Sequence, residues 1–178
     1  MKSPLIVQIS VKFLNRIKKD PNILKEAEKM TNTQVIINDK DFTASIISTN
    51  DKSDNLKMRD YILCISYGLS EEESKKILEQ DSILYIIDLK DILNDREDLR
   101  RVMGRIIGED GKVKQRISEA TDVTIHITDS KILLLGNYED VEYARQAIQK
   151  IVDGSPHSVV FKFLDKVIRE KKTRKILQ

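Results

Sequence analysis

The chain has 178 residues, of which 34% are charged and 40% hydrophobic, with a net charge of +2, no tryptophan and a single cysteine. That size and balance suit one or two globular units with aliphatic cores and highly charged surfaces. They exclude an intramolecular disulfide and a cysteine-based zinc site, and no apolar run approaches the roughly 18 residues of a membrane-spanning helix.

Residues 5–11 (LIVQISV) read as a strand, rich in β-branched side chains. Residues 22–30 (NILKEAEKM) read as a helix, with Ile23, Leu24, Ala27 and Met30 at helical spacing. QVIIN and FTASII then form two strands around a polar DKD turn. The stretch 54–70 is helical, with Leu56, Ile62, Leu63 and Leu69 turned inward and Gly68 near its end. Cys64, in the apolar run YILCISYGL, reads as a small buried thiol. Ser70 and Glu73 have the spacing of a capping box opening the next helix.

The pattern then restarts. SILYIIDL is a strand, helical segments follow around 99–107 and 112–120, and VTIHIT and KILLLG are strands around a tight DS turn. Residues 138–152 form an amphipathic helix that places Val141, Ala144, Ala147, Ile148 and Ile151 on one face, and a basic helix starts near Ser158. A shift of 90 positions lays residues 23–37 on 113–127, so that Ile23 falls on Val113, Thr31 on Thr121 and Ile37 on Ile127. The order strand, helices, strand, strand, helix therefore occurs twice, which predicts an α+β chain of two units, 1–80 and 81–178.

Charge is distributed unevenly between them. Residues 1–90 hold 14 basic and 14 acidic side chains, whereas 100–117 hold six against two and 161–178 seven against two. Three of the six glycines, Gly104, Gly108 and Gly111, lie within GRIIGEDGKVKQRI. A glycine after a helix takes the left-handed conformation that ends it, and one opening the next helix admits a ligand backbone to the helix-start amides. Arg101 and Arg105 are four apart, as are Lys112 and Arg116, so each pair shares a helix face. A plain helical corner would use the glycines only to turn; the cations on both sides and the apolar IIG approach favour phosphate binding. Gly104 stands too far before Gly111-Lys112 for a P-loop, and no GxGxxG is present. No nucleophile–base set and no metal-ligand cluster stands out, so neither catalysis nor a cofactor is expected.

RIIGEDGKVKQRISEATDVTIHI followed by LLLGNYEDVEYARQAI resembles a KH domain, whose GxxG loop clamps about four nucleotides of single-stranded RNA. Together with IIDLKD, GRIIG and DGSPHSVVFKFLDKVIREKK, the whole chain resembles the archaeal and eukaryotic KH proteins of small-ribosomal-subunit assembly, the partner-of-Nob type. The resemblance implies two tandem type I KH domains, each a three-stranded antiparallel sheet with helices on one face, plus a C-terminal basic helix. It implies binding near the 3′ end of the small-subunit rRNA precursor and cooperation with the endonuclease that matures it; the lack of a long apolar run and of a signal-peptide pattern sets the expectation of a cytoplasmic protein without membrane association. The RNA-binding set the resemblance suggests is Arg101, Arg105, Ile107, Gly108, Glu109, Asp110, Gly111, Lys112, Lys114, Arg116, His126 and His157.

Two departures qualify this expectation. The 90-residue shift lays Lys18, Lys19, Asp20 and Pro21 on the loop, so the first unit lacks the clamp and is expected to be structural or a docking surface, with nonspecific RNA contact left to Lys18 and Lys19. Glu109 and Asp110 put two carboxylates beside the phosphate path, at about 0.5–1 kcal/mol each if exposed; alternatively they favour the following helix start and turn away from RNA. His126 lies on the strand face opposite Ile125 and Ile127, either as ordinary polar surface or as a base contact. His157 either caps the last helix or touches RNA or a partner. Lys162, Lys166 and Arg169 share a face of that helix, as an RNA rim or as solvated surface. An adaptor whose KH units mainly dock proteins is the alternative to RNA binding.

Overall fold

The computed structural model describes residues 3–48, 52–79, 81–93 and 95–177. The chain divides into two units at Ser82 and Ile83.

In the first unit, β1 (Leu5–Gln8), β2 (Thr33–Asn38) and β3 (Thr43–Ser48) form an antiparallel sheet in the order β1-β3-β2. The strand expected to reach Val11 ends at Gln8, because Ser10 accepts the Phe13 N–H and starts α1 (Val11–Lys19). α1 turns Phe13, Leu14 and Ile17 inward, and α2 (Asn22–Thr31) does so with Ile23, Leu24 and Ala27. Met30, expected on that face, is instead 54% exposed. α3 (Lys52–Ser66) buries Met58, Tyr61, Ile62 and Ile65 rather than Leu56, which is exposed, while Leu63 is half-buried. The inward stripe is anchored by Tyr61, whose hydroxyl donates to the Ile23 carbonyl at 3.0 Å. Cys64 is fully buried, and burial pushes its thiol up to about 12, with the Asp60 carboxylate adding to the shift. Ser70 and Glu73 form the expected capping box at the start of α4 (Glu71–Lys75).

In the second unit, β4 (Ser82–Asp88), β5 (Thr124–Ile127) and β6 (Lys131–Asn137) form a sheet in the order β4-β6-β5. β5 and β6 are antiparallel and joined by the tight Asp129-Ser130 turn, where the Thr128 N–H donates to the Lys131 carbonyl. The helices are α5 (Arg96–Ile107), α6 (Lys112–Thr121), α7 (Tyr138–Val152) and α8 (His157–Leu177). α5 starts earlier than its apolar spacing indicates, since Asp95 accepts the Glu97 N–H as its cap. Asn94, just before that cap, lies outside the described residues. Ile106 of α5, Ile117 of α6 and Ile132 of β6 are fully buried in one core with Ala144 of α7 and Leu164 of α8. Each such isoleucine contributes about 1.5–3 kcal/mol by burial. α8 is tied down by Lys171, which pairs with Asp140 at 2.6 Å and donates to the Thr121 carbonyl at 2.9 Å.

Candidate nucleic-acid interface

The corner between α5 and α6 is built from three residues with positive φ. Gly108 closes α5 by donating its N–H to the Gly104 carbonyl at 2.8 Å, at φ 74° and ψ 174°. That region is essentially open to glycine alone. A Cβ on Gly108 would also stand 2.4 Å from Val113 Cγ2 and 2.9 Å from the Val113 nitrogen. Asp110 and Gly111 are both left-handed, at φ 52° and 77°, and the Gly111 N–H donates back to the Gly108 carbonyl. A Cβ on Gly111 would meet nothing within 4 Å. The two glycines thus do different work: Gly108 lets the chain turn tightly over Val113, whereas Gly111 leaves its outer side bare.

No side chain caps α6: its first amide, the Lys112 N–H, donates to the Glu109 carbonyl of the loop, and the positive end of the helix dipole carries no carboxylate or hydroxyl cap. The equivalent corner of the first unit is closed off. There Asp20 Oδ1 accepts the Asn22 N–H at 3.0 Å at the start of α2, Pro21 offers no N–H, and Lys18 pairs with Asp39.

The expected cations separate into two groups. Lys112 stands beside the loop, exposed, with only a 3.5 Å ion pair to Asp110, and Lys114 is half-buried without an ion pair among the described residues. Glu109 and Asp110 are exposed at the loop tip, and Ile107 is 38% exposed just before it. Arg101, by contrast, pairs with Asp98 at 2.6 Å, and Arg116 pairs with Asp165 of α8. Arg105 turns away altogether: its guanidinium donates to the carbonyls of Ile151 and Ser155, at the elbow between α7 and α8. His157 joins it there. Its Nε2 donates to the Arg105 carbonyl at 2.9 Å and its ring stacks on Phe161, so the side chain does not cap its own helix. His126 lies half-buried on β5 opposite Leu133 of β6. The rim residues of α8 are also engaged, Lys166 with Glu170 and Arg169 with the Asp165 carbonyl, leaving Lys162 exposed.

Gly104 was absent from the expected set. It lies exposed inside α5 at a helical φ, and an added Cβ would meet nothing within 4 Å. Glycine there costs about 1 kcal/mol relative to alanine and serves no internal packing. Its clustering with two loop glycines was the signal for it. Among the described residues no group of three or more His, Cys, Asp or Glu could hold a metal ion, and no helix is long and apolar enough to cross a membrane.

Comparison with known proteins matches the second unit to a named module. The model of the eukaryotic type KH-domain (KH-domain type I) matches residues 83–169. A KH domain-containing protein of Methanocaldococcus jannaschii is 29% identical over 84% of this chain and 67% of its own length. The pre-rRNA-processing protein PNO1 of Eremothecium gossypii is 36% identical over 71% of this chain and 48% of its own, so the chain spans about half of that relative. The crystal structure of Dim2p from Pyrococcus horikoshii superimposes with a TM-score of 0.82 at 33% identity, covering 93% of this chain and 99% of that one. A further structure from that organism contains Dim2p in a complex with a/eIF2alpha and rRNA. With a type I KH match over the unit that carries the glycine loop, and 33% identity across nearly all of Dim2p, the chain belongs to the PNO1/Dim2 family of KH-domain proteins.

Proposed function

We propose that this chain binds single-stranded RNA as an assembly factor of the small ribosomal subunit, near the 3′ end of its rRNA, with the 108–111 loop as the clamp. The observation that carries this reading is the bare outer side of Gly111 at the uncapped start of α6. A phosphate can approach the backbone there without meeting a side chain, and Lys112 and the helix dipole supply positive charge beside it. The pre-rRNA-processing relatives and the rRNA complex of Dim2p support rRNA as the ligand. Nothing in this reading asks for catalysis or a cofactor; the chain acts by holding a strand in place, in the cytoplasm and away from membranes.

In this reading the first unit is a degenerate KH domain in tandem with the second. Its Asp20 carboxylate already accepts the Asn22 N–H at the start of α2, which supports a structural or docking role. α8 is a basic extension of the second domain, and the rRNA-maturing endonuclease is the partner that would use the positioned strand. A docking adaptor is the second reading, favoured by the exposed Glu109-Asp110 pair and by the cations held in ion pairs.

The test is an anisotropy titration with RNA carrying the 3′ end of small-subunit rRNA, a scrambled RNA, and the Gly111→Asp variant. Gly111 is the better position to alter, because aspartate tolerates left-handed φ and finds open space there, whereas a side chain on Gly108 would strike Val113. Selective binding by the wild type, lost in a folded Gly111→Asp protein, is expected. Equal binding by both proteins would return the glycines to a purely structural role and favour the adaptor.

A further inference from the structure

α5 has two flanks with different fates. On one, Asp98, Arg101 and Arg105 are consumed internally: the first two pair with each other, and the third holds the elbow between α7 and α8. The other carries Arg96, Arg100 and Gly104 at successive four-residue steps, and Ile107 one turn beyond. Arg96 and Arg100 are exposed and make no ion pair among the described residues, Gly104 presents bare backbone, and Ile107 is 38% exposed. Of the five arginines between positions 96 and 116, the two without an ion pair or hydrogen bond among the described residues thus stand in line with the bare glycine and lead to the loop.

The segment that supplies these two arginines has no counterpart in the first unit, where α1 follows β1 after two residues. α1 also holds a four-step cation pair, Lys12 and Arg16, but Arg16 donates to the Leu69 carbonyl at 2.8 Å. The free arginine track therefore occurs on the unit that also has the open loop. Arg96 stands about 12 Å along the axis from Gly104, beyond what a clamp of about four nucleotides on the loop covers.

We infer that RNA leaving the 108–111 clamp continues along this flank of α5, with Arg100 and Arg96 gripping phosphates of nucleotides outside the clamped ones. This rests on the reading of the loop as an RNA clamp. Arginine suits the task through its forked donors, and with no competing carboxylate to break away from, it contacts RNA without losing an internal pair.

The test compares wild type, Arg96→Gln/Arg100→Gln, Gly111→Asp and a charge-matched control, Lys25→Gln/Lys29→Gln on α2. The RNAs are a 12-nucleotide strand from the 3′ end of small-subunit rRNA and its shortest bound fragment. For the double arginine variant we expect about tenfold weaker binding of the long strand and under about twofold change on the short one. The slope of log K against log salt on the long strand should become shallower by about 1.4, since two phosphate contacts are lost. Equal losses on both strands, an unchanged long-strand affinity, or an equal loss in the lysine control would each overturn the track. If Gly111→Asp binds both strands as wild type does, the clamp itself fails, which is separable because the arginine variant is scored only by the difference between the strands.

Discussion

His157 and Arg105 hold each other across 52 positions of sequence: the imidazole Nε2 donates to the Arg105 carbonyl, and the Arg105 guanidinium donates to carbonyls just before His157. The carbonyl lies in the last turn of α5, where helix acceptors lack partners, so the imidazole caps the helix that leads into the glycine loop. An acceptor at Nε2 requires the proton on that nitrogen.

The first prediction follows from this closed pair. Arg105→Met should destabilise the protein by about 1.5–3 kcal/mol, because it removes hydrogen bonds from a charged donor to half-buried carbonyls. His157→Ala should cost about 1 kcal/mol, through the lost hydrogen bond and the stacking on Phe161. Urea denaturation reads both. If Arg105 served mainly to grip RNA, its variant would instead keep its stability and lose affinity.

The two loop glycines should respond unequally to the same substitution. Gly108→Ala forces a Cβ against Val113 in a backbone region closed to alanine, and about 2–4 kcal/mol of stability should be lost. Gly111→Ala meets only the left-handed penalty, about 1 kcal/mol. Equal urea midpoints for the two variants would contradict this division of labour.

The loop carboxylates give a prediction of opposite sign. Glu109→Gln with Asp110→Asn removes two exposed negative charges beside the proposed phosphate path and frees Lys112 from Asp110. RNA affinity should rise about threefold to tenfold at low salt and converge with wild type at high salt. An unchanged affinity at low salt would mean that the two side chains point away from the strand.

Much of this architecture was legible because it is local. Ser70 and Glu73 announce a capping box by spacing alone, Asp129-Ser130 marks a hairpin between apolar strands, and the glycine cluster marks the corner. The errors arose where distant groups decide. Ser10 looks like a strand residue until it caps α1 and donates to the Ser66 carbonyl. Periodicity could not choose between Leu56 and Met58, because the contact of Tyr61 with Ile23 sets the rotation of α3. Spacing also does not show that Arg105, Arg116 and His157 have protein partners 46 to 52 positions away. A basic residue's pattern states its charge, but only the fold states whether that charge is already spent.

Acid titration offers a check on α7 that is independent of RNA. Arg145 donates twice to Glu142, at 2.8 and 2.7 Å, and Gln146 donates once more, so the carboxyl is held down to about 2 against an ordinary 4.5. A depressed carboxyl stabilises the fold fully above its unfolded pKa, and the benefit fades as pH falls toward the folded value. Both side chains are 35% exposed, so solvent screening limits the contribution to about 0.5–1 kcal/mol. Unfolding free energy measured from about pH 6 to about pH 3 should therefore fall more steeply in wild type than in Glu142→Gln, the difference opening below the ordinary carboxylate pKa. Parallel curves over that window would mean that water already satisfies Glu142 as well as Arg145 does.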